Sequence, residues 1–89
     1  MPNEKLRPSD DVISRRVGDE SVLVHLQSNT MYSLNSTGAR AWELLSEGHD
    51  QEMIETTLSD EYGIDRAEAR RELETLIDDL KRHRLVEGA

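Results

Sequence analysis

The residue types best suited to catalysis are present in this chain, but their spacing gives them no motif. Its three histidines, His25, His49 and His83, lie far apart and form neither an HExxH nor an HxH pattern, so they provide no metal-ligand spacing. The adjacent carboxylates Asp78 and Asp79 fall in a charged helical stretch, where a solvated face accounts for them without acid–base work. Cysteine is absent, which excludes a thiol nucleophile, a zinc–thiolate site and a disulfide framework. Gly18, Gly38, Gly48, Gly63 and Gly88 stand singly, as turn and boundary residues do, and no glycine cluster is available to cradle a phosphate. The sequence therefore predicts a non-catalytic binding protein with no metal site and no cofactor.

The scaffold behind these residues is small. Eighty-nine residues suffice for one core, packed mainly with Leu, Ile, Val and Ala because Phe is absent and Trp42 is the single tryptophan. Nineteen acids against eleven bases give a net charge of −8, a sign that works against phosphate backbones. Residues 48–65 carry six acids and no Lys or Arg, whereas residues 65–84 carry six of each sign. The amino-terminal stretch has no apolar segment of the secretory kind, and no apolar run is long enough to cross a bilayer. Together with the lack of cysteine, these features predict a cytoplasmic protein.

Residues 1–11 are polar, include Pro2 and Pro8, and read as a flexible arm before a domain over 12–87. Three strand-like segments follow: VISRRV (12–17), SVLVHLQ (21–27) and TMYSL (30–34). Turns at Gly18-Asp19 and at Ser28-Asn29 or Asn29-Thr30 join them into an antiparallel meander. Alternation puts Tyr32 and Leu34 on the face toward the helices, with Met31 and Ser33 opposite. At Asn35 the period changes. Asn35 or Ser36 caps a helix carrying Ala39, Ala41, Trp42, Leu44 and Leu45, and Gly48 ends it. Asp50 caps a second helix with a stripe of Met53, Ile54, Thr57 and Leu58. Asp65 and Glu68 form a capping-box pattern for a third, whose apolar face is Ala69, Leu73, Leu76, Ile77 and Leu80. Lys81, Arg82 and Arg84 suit its negative end, and Leu85 and Val86 fold back as a closing contact. The expected fold is α+β, winged helix-turn-helix-like, with a three-stranded antiparallel sheet followed by three helices.

Such a sheet has open edges. TMYSL contains neither Pro nor Lys, so its sequence does not prevent it from pairing with another extended chain. A guest strand beside it would lay its side chains into any groove that the third helix bounds. Leu73, Leu76, Ile77 and Leu80 are then either groove wall or core, and periodicity does not separate the two. DNA binding is the competing reading of a winged helix. Its best basic group, Arg66, Arg70 and Arg71, is interleaved with Glu68, Glu72 and Glu74, a pattern that suits a solvated helix better than a groove reader.

The stretch GDESVLVHLQSNTMYSLNSTGARAWELLSEG resembles the PqqD-like family, whose members are also known as recognition elements for ribosomally made, modified peptides (RiPPs). The likeness rests on Val22-Leu23, Leu26, Tyr32-Ser33-Leu34-Asn35, Thr37-Gly38, Trp42-Glu43-Leu44-Leu45 and Gly48, with a weaker tail in DEYGID and LETLIDDLKRHRLV. What the resemblance implies is binding of a precursor's leader peptide by strand addition, and no reaction of its own. The guest would pair with Thr30, Met31, Tyr32, Ser33 and Leu34. The helical wall would be Ala69, Arg70, Leu73, Leu76, Ile77 and Leu80, and Arg15, Arg70 and Arg71 are available to meet acids in the peptide. The implied partners are the leader peptide and either a leader peptidase with a cyclase, as in lasso-peptide synthesis, or a radical SAM enzyme, as in pyrroloquinoline quinone synthesis. The overall look of HLQSNTMYSLNSTGARAWELL favours the lasso type.

Overall fold

The computed structural model describes residues 5–88. In chain order the elements are β1 (Leu6–Pro8), β2 (Val12–Val17), β3 (Glu20–His25), β4 (Thr30–Leu34), α1 (Ser36–Ser46), α2 (Gln51–Tyr62), α3 (Arg66–Arg82) and β5 (Val86–Gly88). Strands β2, β3 and β4 form an antiparallel sheet in that order, giving the expected α+β, winged-helix-like arrangement. Pairing Leu23 with Tyr32 and Ser21 with Leu34 puts Ser21, Leu23, His25 and Leu34 on a buried inner face, as strand alternation predicts.

The two ends of the chain depart from expectation. Leu6–Pro8 is not part of a free arm: it pairs antiparallel with Val86–Gly88, and Leu6 is buried in the core. Residues 1–4 of the expected arm lie outside the described residues. The pairing joins segments eighty residues apart, so local periodicity carries no trace of it. Pro8, which lacks an N–H, is tolerated because the ribbon has only two strands. An exposed Arg7–Glu87 ion pair at 3.0 Å decorates it and contributes little to stability.

The turn at Gly18 forms as expected, with φ at +66°. The next connection is longer than the tight turn predicted. β3 stops at His25, and residues 26–29 make the turn. Asn29 sits in the left-handed region (φ +59°) and donates its N–H to the His25 carbonyl at 2.8 Å. Leu26, just past β3, gives its N–H to the Asp11 carbonyl at 2.8 Å, continuing the β2–β3 register by one residue, and alternation puts its side chain on the exposed face opposite Leu23 and His25.

Each helix start can be checked against its cap. The Asn35 side chain accepts the Gly38 N–H at 2.8 Å, and Asp50 accepts that of Met53 at 2.9 Å. Asp65 occupies the cap position of α3 but its side chain makes no cap hydrogen bond, so the predicted capping box does not form. The α1 stripe is buried as expected, with Trp42 6% exposed. Replacing Trp42 by Ala should cost about 3–5 kcal/mol. In α2, Ile54 and Leu58 are buried, whereas Met53, at the same helical end, faces solvent. After α3, Arg84 turns left-handed (φ +59°) and the Leu85 N–H reaches back to the Leu80 carbonyl at 2.8 Å, which delivers Leu85 and Val86 to the core.

Two arginine clamps fix the helices to one another. Arg40 on α1 grips Glu61 on α2 through two 2.9 Å hydrogen bonds and also contacts Glu43. These bonds raise the Arg40 pKa and lower that of Glu61. Glu55 of α2 is buried against α3, with Arg70 at 3.4 Å and Arg66 at 3.7 Å. A buried carboxylate needs such partners, and removing them would strand its charge.

Candidate functional site

β4 is hydrogen-bonded to β3 on one side, and no strand among the described residues lies on the other. Beyond that open edge runs a cleft of about 320 Å³. Tyr32, Ser33 and Leu34 form its strand side and Arg71, Glu72, Leu73, Thr75, Leu76 and Asp79 its α3 wall. The first turns of α1 close one end with Asn35, Thr37, Gly38 and Ala41, and Leu58 of α2 is also part of the lining. The residue at 38 has to be small. A Cβ there would meet the capping Oδ1 of Asn35 at 3.2 Å and the Leu34 Cδ2 at 3.3 Å. Glycine thus lets α1 start directly against the end of β4 while its cap stays intact.

Tyr32 ties the strand to the helical wall. Its phenol donates to Asp79 Oδ2 at 3.1 Å, Arg82 lies 3.6 Å from the other Asp79 oxygen, and the His83 ring is tilted over the Tyr32 ring at 5.4 Å. Burial raises the Tyr32 pKa, and the hydrogen bond to Asp79 and that carboxylate's charge raise it further. The phenol is therefore neutral at physiological pH and acts as a donor that holds β4 at a set distance from α3.

Of the residues expected to form the site, Tyr32, Ser33, Leu34, Leu73 and Leu76 line the cleft. Thr30 and Met31 continue the same edge strand, with Met31 70% exposed on the opposite face. Ala69, Ile77 and Leu80 are packed into the core and support the wall from behind. Arg70 turns to Glu55, away from the cleft. The residues missed on α3, Glu72, Thr75 and Asp79, lie beside the stripe that runs through Leu73, Ile77 and Leu80. A helix that is both core and wall must present two neighbouring stripes, and that signal was available. Thr37 and Gly38 belong to the motif that carries the family resemblance, and both line the cleft.

Among the described residues no group of His, Cys, Asp or Glu is placed to hold a metal ion. None of the described helices is long and apolar enough to span a membrane. The arrangement, an unpaired strand edge with a partly apolar cleft alongside, defines a domain built to accept an extended chain.

The chain belongs to the PqqD family: the family model described as Coenzyme PQQ synthesis protein D matches residues 20–86. Among solved structures it is similar to TbiB1 in complex with the TbiA(beta) leader peptide, with 38% identity and a TM-score of 0.87 over 93% of this chain and 96% of that one. It is also similar to a lasso peptide synthetase B1 complexed with its leader peptide, with a TM-score of 0.85 over 93% of this chain and 98% of that one. At 24% identity the second likeness speaks for the fold alone. No curated protein sequence matches the chain.

Proposed function

We propose that this protein is a non-catalytic, cytoplasmic adaptor of lasso-peptide synthesis that binds the leader region of a ribosomally made precursor by strand addition and presents it to a leader peptidase. The observation that carries this reading is the open β4 edge beside the cleft between β4 and α3. The guest backbone pairs with Thr30 to Leu34, and its alternate side chains enter the cleft against Leu34, Leu73 and Leu76. The 38% identity to TbiB1, solved with a leader peptide, supports leader binding, and the resemblance of HLQSNTMYSLNSTGARAWELL to the lasso type favours that setting over pyrroloquinoline quinone synthesis. Binding of DNA by the third helix is disfavoured, because two of its three clustered arginines, Arg66 and Arg70, are held by Glu55 and the chain carries a net charge of −8.

The test is fluorescence polarisation with a labelled leader peptide encoded beside this gene, repeated with that peptide N-methylated at one backbone position at a time. Strand addition uses the amides of every second guest residue. Methylation should therefore abolish binding at alternate positions and spare those between. Uniform tolerance of methylation, or salt-sensitive binding to duplex DNA run in parallel with no peptide binding, would overturn the proposal.

A further inference from the structure

The α3 wall of the cleft carries three charged side chains, Arg71, Glu72 and Asp79, and one of them is already matched. Asp79 is met by the Tyr32 hydroxyl at 3.1 Å and by Arg82 at 3.6 Å. The side chains of Arg71 and Glu72 make no hydrogen bond or ion pair among the described residues, whereas Arg66 and Arg70, earlier on the same helix, are held by Glu55.

Helix geometry separates the two unmatched groups. Leu73 points into the core, and Glu72 stands about 100° round the helix from it, on the same flank as Leu76 and Asp79. Arg71 stands about 160° round from Leu73, so its side chain starts from the solvent side of α3. Glu72 is therefore the unmatched charge on the flank that faces β4.

Spacing then fixes which guest residue meets it. Tyr32 and Asp79 join at one end of the cleft, and from there the lining runs to Leu34 and Asn35 on one side and back to Leu76 and Glu72 on the other. Glu72 precedes Leu76 by four residues, about 6 Å along the helix axis. Same-face side chains of an extended chain recur at about 6.7 Å. A guest whose apolar side chain rests on Leu76 thus brings the side chain two residues away to Glu72. The sign of that side chain follows. An acid would face an unmatched carboxylate in a cleft that the guest itself closes off, whereas a Lys or Arg is attracted both there and from a distance by the net charge of −8. The apolar stem of either base can lie along Leu76 while its charged end reaches the carboxylate.

We infer that Glu72 is a specificity residue of the cleft, selecting peptides that carry a Lys or Arg two residues from the apolar side chain seated on Leu76. This rests on the peptide-binding function proposed above and names the class of peptide that the cleft prefers.

The experiment uses the full chain and the labelled leader peptide encoded beside its gene. Each Lys and Arg of the peptide is replaced singly by Glu, and every peptide is titrated by polarisation against wild type, Glu72→Lys and Glu74→Lys. Glu74 is exposed on α3 outside the cleft, so its reversal changes the net charge equally without touching the guest. Glu72→Lys is expected to weaken the native leader about tenfold, and Glu74→Lys by less than about twofold. One of the altered peptides should bind wild type about tenfold more weakly and regain that affinity on Glu72→Lys, the signature of a direct pair in a double-mutant cycle. Glu72→Gln keeps the length of the side chain and its helix propensity, and should weaken the native leader about threefold with the helix content unchanged by circular dichroism. No regain at any position, wild-type affinity in a folded Glu72→Gln protein, or equal weakening by Glu74→Lys would overturn the inference. Absence of binding between the wild-type chain and the native leader would instead remove the function on which the inference rests, and the first titration reports that separately.

Discussion

β2 and β4 are the two outer strands of one sheet, six and five residues long, and each lies beside a cavity of similar size, about 350 Å³ and 320 Å³. Neither an open edge nor a volume therefore distinguishes a binding site here. The apolar lining and the charge on the strand itself do. The cavity at β2 is bounded by Ser14, Arg16, Ser21, Glu43, Ser46 and Glu47 beside Ala39 and Trp42. Arg16 crosses its mouth, donating to the Gly18 carbonyl at 3.1 Å and standing 3.7 Å from Glu43. An inward-pointing cation of this kind keeps an edge strand from pairing with another chain. β4 itself carries no charge, and although the α3 wall of its cleft holds Arg71, Glu72 and Asp79, that cleft presents five apolar side chains, Leu34, Ala41, Leu58, Leu73 and Leu76, where the cavity at β2 presents two. One edge is guarded and the other is receptive because of a few side chains, on a backbone that is otherwise nearly equivalent.

The largest expected effect comes from closing the receptive edge. Leu76 is the half-buried apolar residue at the boundary between core and cleft, so Leu76→Arg can send its charge into the cleft and out to water without entering the core. Affinity for the leader peptide should fall by about 2 kcal/mol or more, roughly 30-fold, as at an interface hot spot. Circular dichroism should show the helix content unchanged. Retained affinity in a folded Leu76→Arg protein would mean that the cleft is not where guest side chains go.

Opening the guarded edge is the reciprocal change. Arg16→Val removes the inward cation and substitutes a β-branched residue on a strand that already exposes Ile13 and Val17. Self-association above that of the wild type should then appear in sedimentation at high protein concentration. Identical sedimentation would show that β2 is protected by something other than Arg16.

Much of this contrast was legible from the sequence. The absence of Pro and Lys from TMYSL announced an open edge, and Asn35, Gly48, Asp50 and Gly63 punctuated the first two helices where the structure has them. These are signals carried by the local chain, and local chemistry decides them. What failed were statements that depend on distant segments. Leu6 is a strand residue only because Val86–Gly88 returns to pair with Leu6–Pro8, and Arg70 leaves the cleft only because Glu55 of another helix captures it. Periodicity placed Ala69, Leu73, Leu76, Ile77 and Leu80 on one apolar face, but it could not say that Leu76 alone is half-exposed, since that depends on how far β4 stands from α3.

Tyr32 sets that distance, and removing its hydroxyl has the smallest expected effect. Tyr32→Phe keeps the ring and deletes the hydrogen bond to Asp79, a net loss of about 1 kcal/mol of stability at neutral pH. The pH dependence gives a sharper criterion. Because the folded-state pKa of Tyr32 is raised above its unfolded value near 10, the fold favours the neutral phenol. That contribution is fully present below about pH 10 and is lost as the pH rises through the folded-state value, when phenolate would face the Asp79 carboxylate. Urea unfolding of wild type and Tyr32→Phe should show a constant stability gap at lower pH that closes in the alkaline range, since the variant has nothing to ionise at this position. A gap that stayed constant there would mean that the hydroxyl contributes nothing through Asp79, and that packing of the ring against His83 and the core holds β4 in place.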